Sequence, residues 1–255
     1  EHFGTLQDYK ALADSLHNNN MKLIQDIVVN HVGNYFRFIG DKFEINNGSI
    51  PTKAPTQSPF DLNNYADITQ RDANIYHWTA DVSNYNDSNQ RLNYQMSGLD
   101  DLNTENPKVI AALKDSYSYW VKEVGVDGFR VDTAMYAPKE FFDQFFKSQD
   151  GIFSLKSDFI AFGETWITSK PYENDADKEI ASYLDHGFNS MLDFTLMEEI
   201  RRVIKGGQPT DYLAYRLEAR NETLKKGLLV TFIDNHDMER FGKGVTPNII
   251  QQALG

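Results

Sequence analysis

The sequence predicts a parallel α/β fold, and within that class a (β/α)8 TIM-type barrel, on three observations. Short apolar strands alternate with amphipathic helices along most of the chain, which is the pattern of parallel βα units. The strands repeatedly finish in ionisable residues: Asp26 with Asn30 and His31, Arg130 with Asp132, then Glu164, Asp193, and Asp234 through Asp237. Such tips are costly unless they converge on one solvated site, which the C-terminal face of a barrel provides and a doubly wound sheet does not. Finally, strands read at 21–29, 125–132, 158–164, 188–194 and 228–234 number five, or six with a pairing in the irregular region, against the eight of a closed barrel. The barrel is therefore expected to be incomplete in this chain.

The elements follow in order. Residues 5–19 read as a helix, with Thr5 as N-cap and Leu6, Tyr9, Leu12, Ala13 and Leu16 on one apolar face. Met21 to Val29 reads as a strand buried on both sides. From 32 to 98 Asn, Asp, Ser, Thr, Pro and Tyr dominate, and so long an irregular stretch inside a compact domain reads as an inserted subdomain. The expected organisation is thus barrel from 1–31, insertion from 32–98 and barrel again from 99–255. A helix capped by Asn103-Thr104, with Pro107 in its first turn, ends at Gly125. Beyond it come a strand, a helix near 139–147, a strand, a strand near 188–194, and helices over 196–204 and 210–226 before the last strand.

Composition narrows the function. A net charge of −12 over 255 residues excludes the basic footprint of a nucleic-acid binder and does not repel a neutral ligand. No run of eighteen apolar residues spans a membrane. The absence of cysteine excludes thiol chemistry and thiolate metal sites, and fits either side of a membrane, with a secreted or periplasmic setting slightly ahead of a cytoplasmic one. Both ends read as cuts through a larger protein, and the chain by itself is expected to be unstable, self-associated or inactive.

Two carboxylates suffice for glycoside hydrolysis, one donating a proton to the leaving oxygen and the other attacking the anomeric carbon. Asp132 suits the nucleophile, because Arg130 lies two residues earlier on the same strand face and its charge favours the carboxylate. Glu164, between Phe162-Gly163 and Trp166, has the apolar neighbours that suit an acid/base group. Asp237, beside His236, is a third carboxylate able to hold hydroxyls and support a positive transition state.

These segments resemble the signatures of the α-amylase family of glycoside hydrolases: DIVVNH at 26–31, GFRVD at 128–132, FGETW at 162–166 and FIDNHD at 232–237, in the family's order. LDDLN at 99–103 is similar to an additional signature, with Asp100 where the family usually has proline. The resemblance implies Asp132 as nucleophile, Glu164 as acid/base and Asp237 as transition-state stabiliser. It implies that His31, Arg130 and His236 contact the sugar or orient the carboxylates, that Asp26 is structural or a partner to those groups, and that Asn30 matches a position that ligates a structural calcium in many members. No cofactor is expected for the chemistry. Many α-amylases follow the nucleophile with two variable residues and Lys-His; here stand Thr133, Ala134, Met135 and Tyr136, a departure shared by members similar to cyclomaltodextrinase or neopullulanase. The expected partner is an α-glucan, oligosaccharide or polysaccharide. Hydrolysis of α-1,4 bonds in maltodextrins or cyclodextrins leads, with transglycosylation or isomerisation, a non-catalytic sugar-binding relative, and a metal hydrolase using His31, His236, Asp26 and Asp237 as alternatives. Trp166 is a candidate cleft residue, the aromatics of the insertion serve first as its core, Asp193 reads as structural, and His2, His17, His77 and His186 read as surface or packing residues.

Overall fold

A computed structural model describes residues 3–39, 42–45 and 54–254, so His2 and parts of the expected insertion lie outside the described residues. The chain forms two compact units, Glu1–Ile160 and Ala161–Gly255.

In the first unit α1 (Leu6–Asn18) is opened by a reciprocal capping box between Thr5 and Asp8. β1 (Ile24–Val28) follows, then a β2–β3 hairpin (Phe36–Ile39, Lys42–Ile45), the short helices α2 (Ile68–Asp72) and α3 (Ser88–Asn93), and the long helix α4 (Pro107–Val124). The N-cap of α4 is Asn106, not the expected Asn103-Thr104. Its side chain accepts from Lys108 N at 2.9 Å, whereas that of Asn103 is spent on Glu105 N one turn earlier. Gly125 ends α4 in the left-handed region at φ 80°.

β4 (Gly128–Asp132) runs parallel to β1, with Asp26 opposite Arg130 and Val28 opposite Asp132. β1 is not buried on both sides as its apolar run suggested. Ile24 is 36% exposed, because β1 pairs only with β4 among the described residues. β4 is buried along almost its whole length. A Cβ on Gly128 would come within 2.5 Å of the Ile160 carbonyl oxygen, so only glycine permits that approach. After β4, α5 (Lys139–Phe142) continues as a π turn over Asp143–Lys147, and its phenylalanines 141, 142, 145 and 146 are all buried.

In the second unit β5 (Ile160–Gly163), β6 (Ser190–Leu192) and β7 (Leu228–Val230) form parallel pairs in that order. The helices are α6 (Asp175–Leu184), α7 (Phe194–Ile200, extended by a π turn at Arg201–Lys205), α8 (Thr210–Ala219), α9 (Asn221–Leu224) and α10 (Pro247–Leu254). α6 was not anticipated: its sequence DADKEIASYL is polar at the start and carries few large apolar residues. What buries it is partnership, since Asp177 pairs with the fully buried Arg216 of α8. The last strand stops at Val230, four residues short of Asp234, because Val230 O accepts from Asp193 N at 3.0 Å and the ladder ends there. The five strands β1, β4, β5, β6 and β7 all pair in parallel, fewer than the eight that close a barrel. No described helix is long and apolar enough to cross a membrane.

Candidate active site

In the first unit the site is built on the β1–β4 ladder. Because Asp26 and Arg130 are register partners and Asp132 is two residues further along the same face, one guanidinium meets both carboxylates. Arg130 Nη1 lies 2.9 and 3.1 Å from the oxygens of Asp26 and 2.5 Å from Asp132 Oδ1. The arginine is buried and Asp132 is partly open to solvent, its side chain 21% exposed. Thr133, immediately after, is held at φ 45°, a costly conformation for a β-branched residue and of the kind that clusters at working sites. The chain then makes a single turn at Ala134–Tyr136, so the residues that depart from Lys-His form a short 3-10 helix.

His31 stands just past β1. Burial lowers its pKa, with the charge of Asp132 opposing, so the imidazole is neutral at pH 7. Beneath it Tyr117 of α4 donates to Val28 O at 2.5 Å, and Leu102 N donates to Asn30 O at 2.8 Å. Asn30 and Asp101 are both buried. Asp101 in turn meets His77 Nδ1 at 2.7 Å. Calcium takes six to eight oxygen ligands. Among the described residues no cluster of three His, Asp or Glu side chains is suited to a metal, and one oxygen of Asp101 is engaged by His77.

In the second unit Glu164 follows the last residue of β5 and is 6% exposed. Two residues on, Trp166 stacks on Phe194, ring centroids 5.3 Å apart and planes 26° apart, while remaining 42% exposed. It lines a cavity of about 330 Å³ together with Met197 and Met238. Asp237 and His236 lie on the loop after β7, His236 Nε2 being 3.2 Å from Asp237 Oδ2, with side chains 65% and 42% exposed for His236 and Asp237. That loop is closed by Asp234, which accepts from Phe241 N at 2.7 Å and Arg240 at 2.8 Å. Asp193 is a structural group: it caps α7 through Leu196 N and pairs with Arg220 at 2.7 Å. His17 and His77 are likewise committed to the carboxyls of Asp127 and Asp101.

Sequence reasoning placed these residues at strand ends but missed their supports. Those supports are Tyr117 of α4 and the charged residues of α7. Both are partners of backbone groups far away in sequence, which no local pattern marks.

Comparison with known proteins shows the family. The family model described as "Alpha amylase, catalytic domain" matches residues 1–252. An alpha-amylase of Streptomyces lividans is 28% identical over 285 residues, covering 94% of this chain and 29% of the relative. A cyclomaltodextrin glucanotransferase of Klebsiella oxytoca is 29% identical over 256 residues, covering 97% of this chain and 37% of its own length. Among solved structures, an α-amylase from Geobacillus thermoleovorans complexed with acarbose superposes with TM-score 0.70 at 30% identity, over 94% of this chain and 46% of that one. A cyclomaltodextrin glucanotransferase with a three-domain ABC distribution gives TM-score 0.76 at 28% identity, over 99% of this chain and 48% of that one. The chain spans about a third of the length of these curated relatives.

Proposed function

The chain belongs to the α-amylase catalytic-domain family, and from that membership we propose that it carries the chemical centre of a retaining glycoside hydrolase acting on α-1,4-linked glucans. Asp132 attacks the anomeric carbon, Glu164 protonates the leaving glycosidic oxygen and then activates water, and Asp237 supports the positive charge that develops on the sugar. The observation that carries the reading is the Asp26–Arg130–Asp132 arrangement. One oxygen of Asp132 is fixed by Arg130 at 2.5 Å while the side chain remains accessible, as an oriented anionic nucleophile requires. Glu164, largely withdrawn from solvent, is in the setting of a proton donor. Neutral His31 and the exposed His236 are positioned to bond sugar hydroxyls, and the outer face of Trp166 offers a ring on which a sugar stacks. The segment 32–98 serves as an inserted subdomain beside the strand-borne residues.

The second step decides between hydrolysis and transfer to another sugar. Relatives of both kinds, an alpha-amylase and a cyclomaltodextrin glucanotransferase, stand at nearly equal identity, so glycosyl transfer is the second reading. The test is to incubate the intact protein with starch, cyclodextrin and pullulan and to analyse products by size and anomeric configuration. The expected result is α-configured maltodextrin product that Asp132→Asn abolishes. Product of inverted configuration, or an Asp132→Asn variant with undiminished rate, would sink the assignment. Activity lost on chelation with no glycan turned over would point instead to a metal hydrolase.

A further inference from the structure

Two consecutive arginines of α7 each hold a different loop of the second unit. Phe194, Glu198 and Arg202 follow one another at four-residue spacing and present one row of side chains. That row lies against the segment after Glu164. Trp166 stacks on Phe194, Glu198 Oε2 accepts from Ser169 N at 2.7 Å and from Ser169 Oγ at 3.2 Å, and Arg202 Nη2 donates to Ser169 O at 3.0 Å. Ser169 is 2% exposed, so its backbone N–H and C=O both need partners, and both find them on α7. Arg202 is itself fixed, its Nη1 lying 3.0 and 2.9 Å from the oxygens of the buried Glu199.

The preceding residue faces the other loop. Arg201 Nη1 donates to Ile233 O at 3.0 Å and Nη2 to Glu239 O at 3.1 Å, bracketing the stretch that contains His236 and Asp237. Adjacent residues of a helix diverge by about 100°, so they serve two loops only if the helix presents its edge to both. α7 widens into a π turn at Arg201–Lys205, an irregularity frequent at working sites.

We infer that Glu198 and Arg202 are positioning residues for Glu164, and Arg201 a positioning residue for Asp237, all three fixing carboxylates that lie beyond their strands. The inference rests on the functional reading above. If the three were only structural, removing them would lower every activity together. A positioning role separates substrates by their need for a proton. Loss of a maltosyl group from a maltodextrin requires Glu164 to protonate the departing oxygen, whereas α-maltosyl fluoride releases fluoride with its bonding electrons and no proton from the enzyme, as Asp132 forms the glycosyl ester.

The experiment compares both substrates with the intact protein and with Glu198→Ala, Glu198→Gln, Arg202→Gln and Arg201→Gln. Compared as kcat/KM, which reports only the steps through formation of the glycosyl ester, Glu198→Ala and Arg202→Gln are expected to slow maltodextrin cleavage about 100-fold, the scale of a 1 Å misplacement, while kcat/KM for the fluoride stays near that of the unmodified protein. Glu198→Gln, which keeps an acceptor for Ser169 N, restores the maltodextrin rate. Arg201→Gln slows both substrates alike, because Asp237 is needed whatever the leaving group. Glu198→Ala leaves the Arg202–Glu199 pair in place and serves if Arg202→Gln does not fold. Equal losses on both substrates for Glu198→Ala, or none on either, overturn the inference. Hydrogen exchange provides a readout apart from turnover: Glu198→Ala is expected to speed exchange in 165–170 and Arg201→Gln in 233–239. Unchanged exchange defeats the clamps themselves, whereas an unmodified protein that cleaves neither substrate defeats the functional reading.

Discussion

Asp132 and Glu164 are both read as carboxylates at strand ends, yet they are held in different ways. Asp132 is the last residue of β4. Its direction is set by the ladder, and the arginine that meets it is two residues back on the same face. Glu164 lies one residue past β5, and Asp237 seven residues past β7, where no ladder fixes the backbone. Those loops are held from the side, by α7. A residue on a strand inherits its position from the sheet, whereas one on a loop needs dedicated partners from another element, and each partner is a further place at which activity can be lost.

The strand-borne half is broken most severely at Arg130. Arg130→Met leaves the Asp26 and Asp132 carboxylates facing each other without the guanidinium, and kcat/KM on maltodextrin is expected to fall about 10³-fold, the scale of losing one preorganised electrostatic partner. Steady-state kinetics on maltodextrin and on α-maltosyl fluoride check it; a fall on only one of them would contradict this placement. In the loop-borne half the corresponding aromatic change is smaller. Trp166→Ala removes a stacking face and is expected to raise KM about tenfold, equivalent to about 1.4 kcal/mol. Phe194→Leu, which removes only the ring beneath it, should raise KM less. If the two variants match, support from α7 and not the indole itself is what matters.

How much of this was legible in the sequence follows the same division. The alternation of strand and helix, the Thr5 cap and the Gly125 stop are local signals, and the structure has all of them. So is the Arg130–Asp132 spacing, because a period of two puts both on one face. The opposition of Asp26 and Arg130 depends on strand register, which the sequence does not carry by itself. The α4 cap turns on which of two nearby asparagines accepts from the first turn, and the last strand is cut short by a hydrogen bond from the distant Asp193 backbone. α6 escaped because its burial is ionic, through Asp177 and Arg216. Glu198, Arg201 and Arg202 look like any charged helix face until the loops they hold are in place.

If the strand itself places Asp132, then weakening the base of β4 should cost stability and spare catalysis. Asp127 precedes β4 and is a buried hub: Leu23 N donates to it at 2.7 Å, Lys156 at 2.6 Å, and His17 lies 2.8 Å away. Burial opposes its ionisation, but the bonds from Lys156, Leu23 and His17 outweigh that and hold its pKa well below 3.8. A depressed carboxylate contributes stability that is present above its unfolded value and lost as pH falls below about 4. Asp127→Asn is expected to lower stability at pH 7 by about 2 kcal/mol, to flatten the acid limb of the stability profile, and to leave kcat unchanged. A parallel fall in kcat would mean that the strand is not the rigid mount proposed here.

The effect of opposite sign belongs to Asp100. It packs beside the end of β1, where Val32 N donates to its carbonyl at 3.0 Å and Tyr35 N and Phe36 N donate to its carboxyl at 2.8 and 3.3 Å. Burial raises its pKa to about 8, with those two backbone donors opposing and Asp81 adding to the rise. Here the folded chain keeps a proton that the unfolded chain has given up, so stability falls as pH climbs from about 4 to about 8 and levels off above that. Asn keeps an oxygen for the same two N–H groups and has no charge to bury. Asp100→Asn should therefore be near neutral at pH 5 and stabilising at pH 9 by thermal denaturation, with no change in kcat at either. An Asn variant whose stability falls with pH as steeply as that of the unmodified chain would assign the penalty to another buried group, and the adjacent Asp101, raised to about 7 by burial despite His77, is the first to exchange next.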